Sequence, residues 1–421
     1  MLLAFSVASF AAILINDYTG YWVAIVAVSI FNSYFSRKST RLFWIIIGLY
    51  LALGLLNISS WRGTTELVTI KAYFLGILFF SIPFYVLYIR SYRPYYLLVA
   101  PKNHNVVFMR IAYLHIAISF LAVAYVYATT GPIFLNPSLR FKVPVAVSYI
   151  IKSSLPLAAF VPFMAIRRQW LMVLIIILPS ILMSFRGVAV LAALSYILVL
   201  IDLQGAKIYW KTKIKLKKFS LRRFLYFGII AFVIISAGFY MRRTSSDVLL
   251  SAEELVNTYF SQTGWWVYTI MPLYLGFKET IGITNNIISR EIDNSLNDYP
   301  LFFADLYTIL PGTWLAAGQT LNQLFGATEA GGLTPGLVGG IFIDYGWNFI
   351  TFFLFFGAAI TFFAIKSSKS VYFLPLYITI LTQFIHLFHR GFLKPEYVTT
   401  IMLAAFYSLI LRGIRFRRNT Y

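Results

Sequence analysis

A chain of 421 residues that is 60% hydrophobic, 19% aromatic and only 12% charged excludes an ordinary soluble domain, in which about half of the residues are apolar and about a quarter charged. The absence of cysteine excludes disulfide frameworks, thiolate metal sites and cysteine nucleophiles. The formal charge of +21 would suggest nucleic acid in a soluble protein, but its distribution along this chain marks topology instead.

Crossing a hydrocarbon core of about 30 Å takes about 20 apolar helical residues. Runs of that kind centre near residues 9, 28, 50, 80, 118, 155, 175, 195, 232, 350, 379 and 404. They predict an all-α, polytopic integral membrane protein with about twelve transmembrane helices. The chain opens directly into an apolar run with no basic region before it, which predicts a first spanning helix rather than a removed signal. Pro156, Pro162 and Pro179 fall inside apolar runs and predict kinks or breaks there.

Lys and Arg concentrate in short cytoplasmic loops. With twelve helices and both ends inside, one face receives the loops around Arg37, Arg90, Lys102 and Arg167, the run from Lys207 to Arg223, Lys366 and Lys369, and the tail from Arg412 to Arg418. That face holds 23 of the 35 basic residues and, of the acids, Asp202 alone. The opposite face has 12 basic and 13 acidic residues. The dense run Lys207–Arg223 reads as a topology determinant resting on anionic headgroups, so membrane lipids are expected partners and nucleic acid is not.

Three segments follow: helices 1–9 over 1–241, with the basic cytoplasmic loop 204–223; a large outward-facing helical loop over 242–335; and helices 10–12 with the basic tail over 336–421. The loop holds nine of the fourteen acids against four basic residues. Connectors of that length are usually functional. Within it, Ser251 and Glu254 form a capping box that predicts a helix start, with Leu255 and Tyr259 on one side. The aromatic run around Trp265, Trp266, Tyr268 and Tyr274 is predicted to lie at the membrane surface or dip back in. "LFFADLYTILPG" and "WLAAGQTLNQLFG" predict two further short helices.

Nucleotides are scarce outside the cytoplasm, so an enzyme acting there needs an already activated substrate, such as a lipid diphosphate sugar. No Walker loop, HExxH or clustered metal signature is present, and no metal or other cofactor is expected. Cations at outer helix ends are the candidate anion sites. Arg186, in "SFRGVAV", carries a charge that is costly at membrane depth unless it is paired or serves a site, and its fork suits phosphate oxygens; snorkelling to headgroups is the equal alternative. "FIHLFHRGFLKPEY" gathers His386, His389, Arg390, Lys394 and Glu396, and a continuing helix would put the two histidines on one face. Arg242 and Arg243 open the long loop, where one of them at most would point at a substrate. An acceptor hydroxyl needs a carboxylate base or orienting acceptor; Asp17, Asp298, Asp305, Glu329 and Asp344 are candidates. Asp344, well inside a spanning run, is expected either to pair with a basic residue, first of all one of the arginines, or to have a raised pKa. Glu291 and Asp293 resemble an acidic metal pair, but such tripeptides are common by chance.

In its helix count, its late outer loop, "SFRG" at Arg186, "YMRR" at Arg242 and Arg243, and "GGLTPGLVGGIFIDYGWNFITFFLFFG", the chain resembles bacterial oligosaccharide repeat-unit polymerases, the Wzy-type O-antigen polymerases. It lacks the paired RX10G pattern of some members, with Leu301 and Ile197 where the glycines would fall. The resemblance implies glycosyl transfer at the outer face of the bacterial inner membrane, moving an undecaprenyl-diphosphate-linked glycan from its carrier onto another lipid-linked repeat unit. Arg186, Arg390, His389 and Asp344 would then be catalytic. Arg242, Arg243, Arg290, His386, Lys394 and Glu396 would bind substrate, and a chain-length regulator would be a further partner. An O-antigen ligase-type transferase and a lipid-linked oligosaccharide flippase are the rival readings.

Overall fold

The computed structural model describes residues 17–36, 38–88, 96–97, 105–134, 139, 142–164, 166, 168–204, 207–208, 232–233, 236–237, 239–240, 250–260, 264–294, 298–308, 315–326 and 332–413. The predicted helices near 9 and 232, most of the basic run after Lys207, and Glu329 therefore lie wholly or largely outside the described residues. The described residues are mainly helical, joined by turns and short irregular stretches, with one two-residue parallel pair, Tyr96–Leu97 with Lys207–Ile208, and a single antiparallel bridge between Ser59 and Phe260.

Five helical stretches among them are long and apolar enough to cross a membrane: Leu67–Val86, Val106–Thr129, Val145–Phe163, Gly336–Lys369 and Val371–Arg390. Three shorter apolar helices cover Ser39–Gly54, Gln169–Leu182 and Gly187–Leu203. Proline changes the helix type in one of the long stretches. Pro156 and Pro162 turn the apolar run after residue 154 into a 3-10 segment, Leu155–Phe163, because each removes a backbone donor and crowds the preceding turn.

The chain divides into two compact units. The first comprises residues 1–83, 219–357 and 387–393. It contains α1 (Tyr18–Phe35), α2 (Lys38–Gly54), α3 (Leu67–Pro83), α8 (Ala252–Tyr259), α9 (Trp265–Ser289), α10 (Leu301–Tyr307), α11 (Ala317–Leu324), α12 (Gly336–Tyr345) and the start of α13 (Phe349–Lys369). Asp17 caps α1 by accepting from the Gly20 N–H at 2.5 Å. Ser251 and Glu254 make the predicted capping box of α8, through Glu254 N–H to Ser251 Oγ at 3.2 Å and Ser251 N–H to Glu254 Oε2 at 2.7 Å.

The aromatic run from Trp265 does not end as a short segment of its own. It continues through Pro272 into one 25-residue helix, α9, that packs on α2, α3 and α12 and buries Val267, Met271, Tyr274 and Ile281. Its polar residues face the loop joining α2 to α3 rather than water: Tyr274 donates to the Leu56 carbonyl at 2.8 Å, and the Asn285 side chain accepts from the Glu66 N–H and Thr69 Oγ1, both at 2.8 Å. α12 meets the turn after residue 390 at glycines. A Cβ on Gly340 would stand 2.4 Å from the Gly391 carbonyl oxygen, so only hydrogen fits.

The second unit comprises residues 84–218, 358–386 and 394–421. It contains α4 (Asn105–Thr129), α5 (Val145–Lys152), the 3-10 segment, α6 (Gln169–Leu182), α7 (Arg186–Gln204), most of α14 (Leu374–Arg390) and α15 (Pro395–Gly413). Its core includes Val126, Ile133, Ile151 and Met183.

Candidate functional site

In the second unit α5 ends at Lys152, a cation inside an otherwise apolar stretch. Its ammonium meets Glu396 Oε2, in the first turn of α15, at 2.5 Å. The pair is largely shielded, with side-chain exposures of 17% and 13%, and the ammonium also lies 4.3 Å from the centre of the Phe185 ring. Charge and aromatic face together offset the desolvation that a lone lysine would suffer here.

His115 braces the arrangement from α4. Its Nε2 bonds Ser153 Oγ at 2.7 Å and its Nδ1 the Tyr407 hydroxyl, tying the residue after Lys152 to the middle of α15. His386 and Lys394 lie close enough to Glu396 to act on its charge, and the His386 ring stands edge-on to Tyr397 with centroids 5.0 Å apart. Three of the residues expected to bind substrate, His386, Lys394 and Glu396, are thus brought together.

A narrow cleft opens beside the pair. Its lining mixes apolar side chains, among them Leu155, Pro156 and Leu191, with polar ones, Ser195 on α7, Thr379, Thr382 and Gln383 on α14 and Thr400 on α15. Thr379 and Thr382 are buried and each donate back to their own helix, to the Pro375 and Thr379 carbonyls at 2.8 and 3.0 Å. Lys152 was absent from the residues singled out in the sequence. The signal was present, since a lysine within an apolar spanning run meets the same cost criterion that drew attention to Arg186.

α7 begins at Arg186, whose side chain lies outside the described residues, as do Arg242 and Arg243 altogether. Arg290 is exposed at the C-terminal end of α9. His389 and Arg390 belong to the first unit; the His389 ring stands edge-on to Tyr50, with centroids 5.8 Å apart. α14 does continue through both histidines, but His386 and His389 have different aromatic neighbours.

Asp344 corrects an expectation. Its carboxylate does not pair with an arginine but accepts from the Leu301 and Phe302 N–H groups at 2.8 and 2.7 Å and from Asn294 Nδ2 at 3.0 Å. It joins α12 to the start of α10, where three donors stabilise its charge without a guanidinium. Asp305 plays the same part for α11, accepting from the Ala317 N–H at 2.7 Å. Asp298, Glu291 and Asp293 are exposed, and among the described residues no group of three or more His, Cys, Asp or Glu could hold a metal ion.

Comparison with known proteins finds no family model that matches the chain, no similar curated protein and no similar solved structure.

Proposed function

We propose that this protein is a membrane glycosyltransferase that polymerises undecaprenyl-diphosphate-linked oligosaccharide repeat units, building an O-antigen or related surface polysaccharide. In this reading it crosses the bacterial inner membrane about twelve times, with both termini cytoplasmic and the reaction at the outer face. The observation that carries the reading is the shielded Lys152–Glu396 pair, with His386 and Lys394 beside it and a small cleft of mixed polar and apolar lining next to it. Lone charges are costly among apolar helices, and a group of them around a cleft is the usual mark of a site.

The chemistry divides between anion and hydroxyl. Breaking the bond between the glycan and its carrier sends charge onto the departing diphosphate, and cations such as Arg186 would stabilise that charge as it develops. Glu396, held in place by Lys152, would orient the attacking acceptor hydroxyl, and His386 would take up its proton. No nucleotide is needed, because the lipid diphosphate already carries the activation.

The test is to incubate the purified protein with its organism's undecaprenyl-diphosphate repeat unit in the presence of EDTA and separate the products on a gel. The expected result is a ladder spaced by one repeat, reduced at least tenfold in Glu396→Gln. Folded protein that makes no ladder but moves the same lipid across liposome membranes would overturn the polymerase in favour of a transporter.

A further inference from the structure

We infer that His115 is a positioning residue for the Lys152–Glu396 pair, acting as a neutral ring protonated on Nε2 that ties the end of α5 to α15. The inference rests on the reading in which Glu396 orients the acceptor hydroxyl, and it adds the device that keeps Glu396 in place.

The protonation pattern follows from counting hydrogens. The Ser153 hydroxyl has one proton, and its oxygen stands 2.6 Å from the Ile150 carbonyl, which can only accept. That proton therefore lies toward Ile150. Ser153 Oγ must then accept from His115 Nε2, 2.7 Å away, so Nε2 carries a hydrogen. The Tyr407 hydroxyl, on a side chain with no exposed surface, needs an acceptor for its own proton, and Nδ1 is its partner. Nδ1 is therefore bare and the ring neutral. The bonds run one way, from Tyr407 through His115 and Ser153 to Ile150. An imidazolium would make both ring nitrogens donors and leave the Tyr407 proton without its acceptor.

What this relay holds is the register of two helices. Glu396 and Tyr407 are eleven residues apart on α15, close to three full turns, which sets them on one face about 16 Å apart. The end of α5 reaches the first directly, through Lys152, and the second through Ser153 and His115. A single attachment would let α15 pivot or slide against α5, whereas two at separate heights do not. Ser119, one turn beyond His115 on α4, donates to the Ile150 carbonyl at 3.2 Å, so α4 grips the end of α5 twice.

The test uses the full-length protein in nanodiscs and has one readout that needs no activity. Histidine labelled with nitrogen-15 reports which ring nitrogen is protonated, and the His115 signals are those missing from His115→Gln. The expected result is a bare Nδ1 and a protonated Nε2, with the Nδ1 signal displaced in Tyr407→Phe. That variant keeps its ring packed on Phe108 and Phe160, at centroid distances of 5.9 and 5.6 Å, and so retains the fold where His115→Leu does not. A protonated Nδ1 in the wild type would overturn the inference. In the ladder assay Tyr407→Phe and His115→Leu should lower turnover about tenfold with the KM for the lipid-linked unit unchanged, as expected for lost alignment. His115→Gln, whose amide supplies one donor and one acceptor, should recover most of that turnover. Wild-type turnover in both Tyr407→Phe and Ser153→Ala would sink the positioning role and leave the polymerase standing. The expected ring protonation, with no ladder even from the wild type, would uphold the tie between α5 and α15 and remove the polymerase.

Discussion

Lys278 is fully buried on α9, where its ammonium donates to Asn57 Oδ1 at 3.0 Å and Thr65 Oγ1 at 2.8 Å, two neutral acceptors and no carboxylate. Desolvation lowers its pKa to about 8, against about 10.4 in an unfolded chain. Between those values the unfolded chain binds the proton and the folded one does not, so stability rises with pH through this window and is lowest, with the charge fully buried, below about pH 8. The thermal midpoint of the wild type should therefore climb relative to Lys278→Met between pH 7.5 and 9.5, and parallel curves would show that the ammonium is not strained. How such residues could be read in advance differs from case to case. The burial of Asp344 was legible from its depth in an apolar run, but its partners were not, because the N–H groups it holds lie forty-two and forty-three residues earlier in the chain. The same limit hid the partner of Lys152, which is 244 residues away at Glu396.

At the scale of elements, local chemistry was readable wherever donor and acceptor are near in sequence. The Ser251–Glu254 box and the short helices α10 and α11 followed from spacing and formed as expected. α9 did not, because its aromatic and polar halves have opposite compositions and only the packing of both against α2, α3 and α12 makes them one helix. Its glycines give a contrast that tests this packing. Gly276 has nothing within 4 Å of an added Cβ, whereas at Gly282 the Cβ would stand 2.5 Å from Arg62 Cβ and 3.1 Å from the Arg62 carbonyl oxygen. Gly276→Ala should raise stability by about 0.5–1 kcal/mol, the helical advantage of alanine. Gly282→Ala should lower it by about 1–3 kcal/mol, the range for overpacking. Thermal unfolding of both variants in detergent checks the pair. Equal shifts would mean that α9 does not rest on the loop carrying Arg62.

The whole molecule is ordered by where its cations lie. Of the 35 basic residues 23 fall on one side of a twelve-helix threading, with a single acid among them. A bias of that size sets orientation, since each Lys or Arg near an anionic leaflet contributes about 1 kcal/mol. The absence of cysteine makes the orientation directly testable, because any introduced thiol is the only one in the chain. Arg290→Cys is an exposed position at the end of α9 and removes a cation from the less basic side of that threading, so it cannot reverse the bias. Lys215→Cys leaves seven of the eight cations of the run from Lys207 to Arg223 in place. In cells with a permeable outer membrane and an intact inner one, a membrane-impermeant maleimide should label Arg290→Cys at once and Lys215→Cys only after the inner membrane is opened. The opposite order would place the acidic loop in the cytoplasm, where an outward-facing polymerase could not use it. Labelling of both before opening would mean an odd number of spans between residues 215 and 290 is wrong, and with it the threading that puts Lys152 and Glu396 on one face.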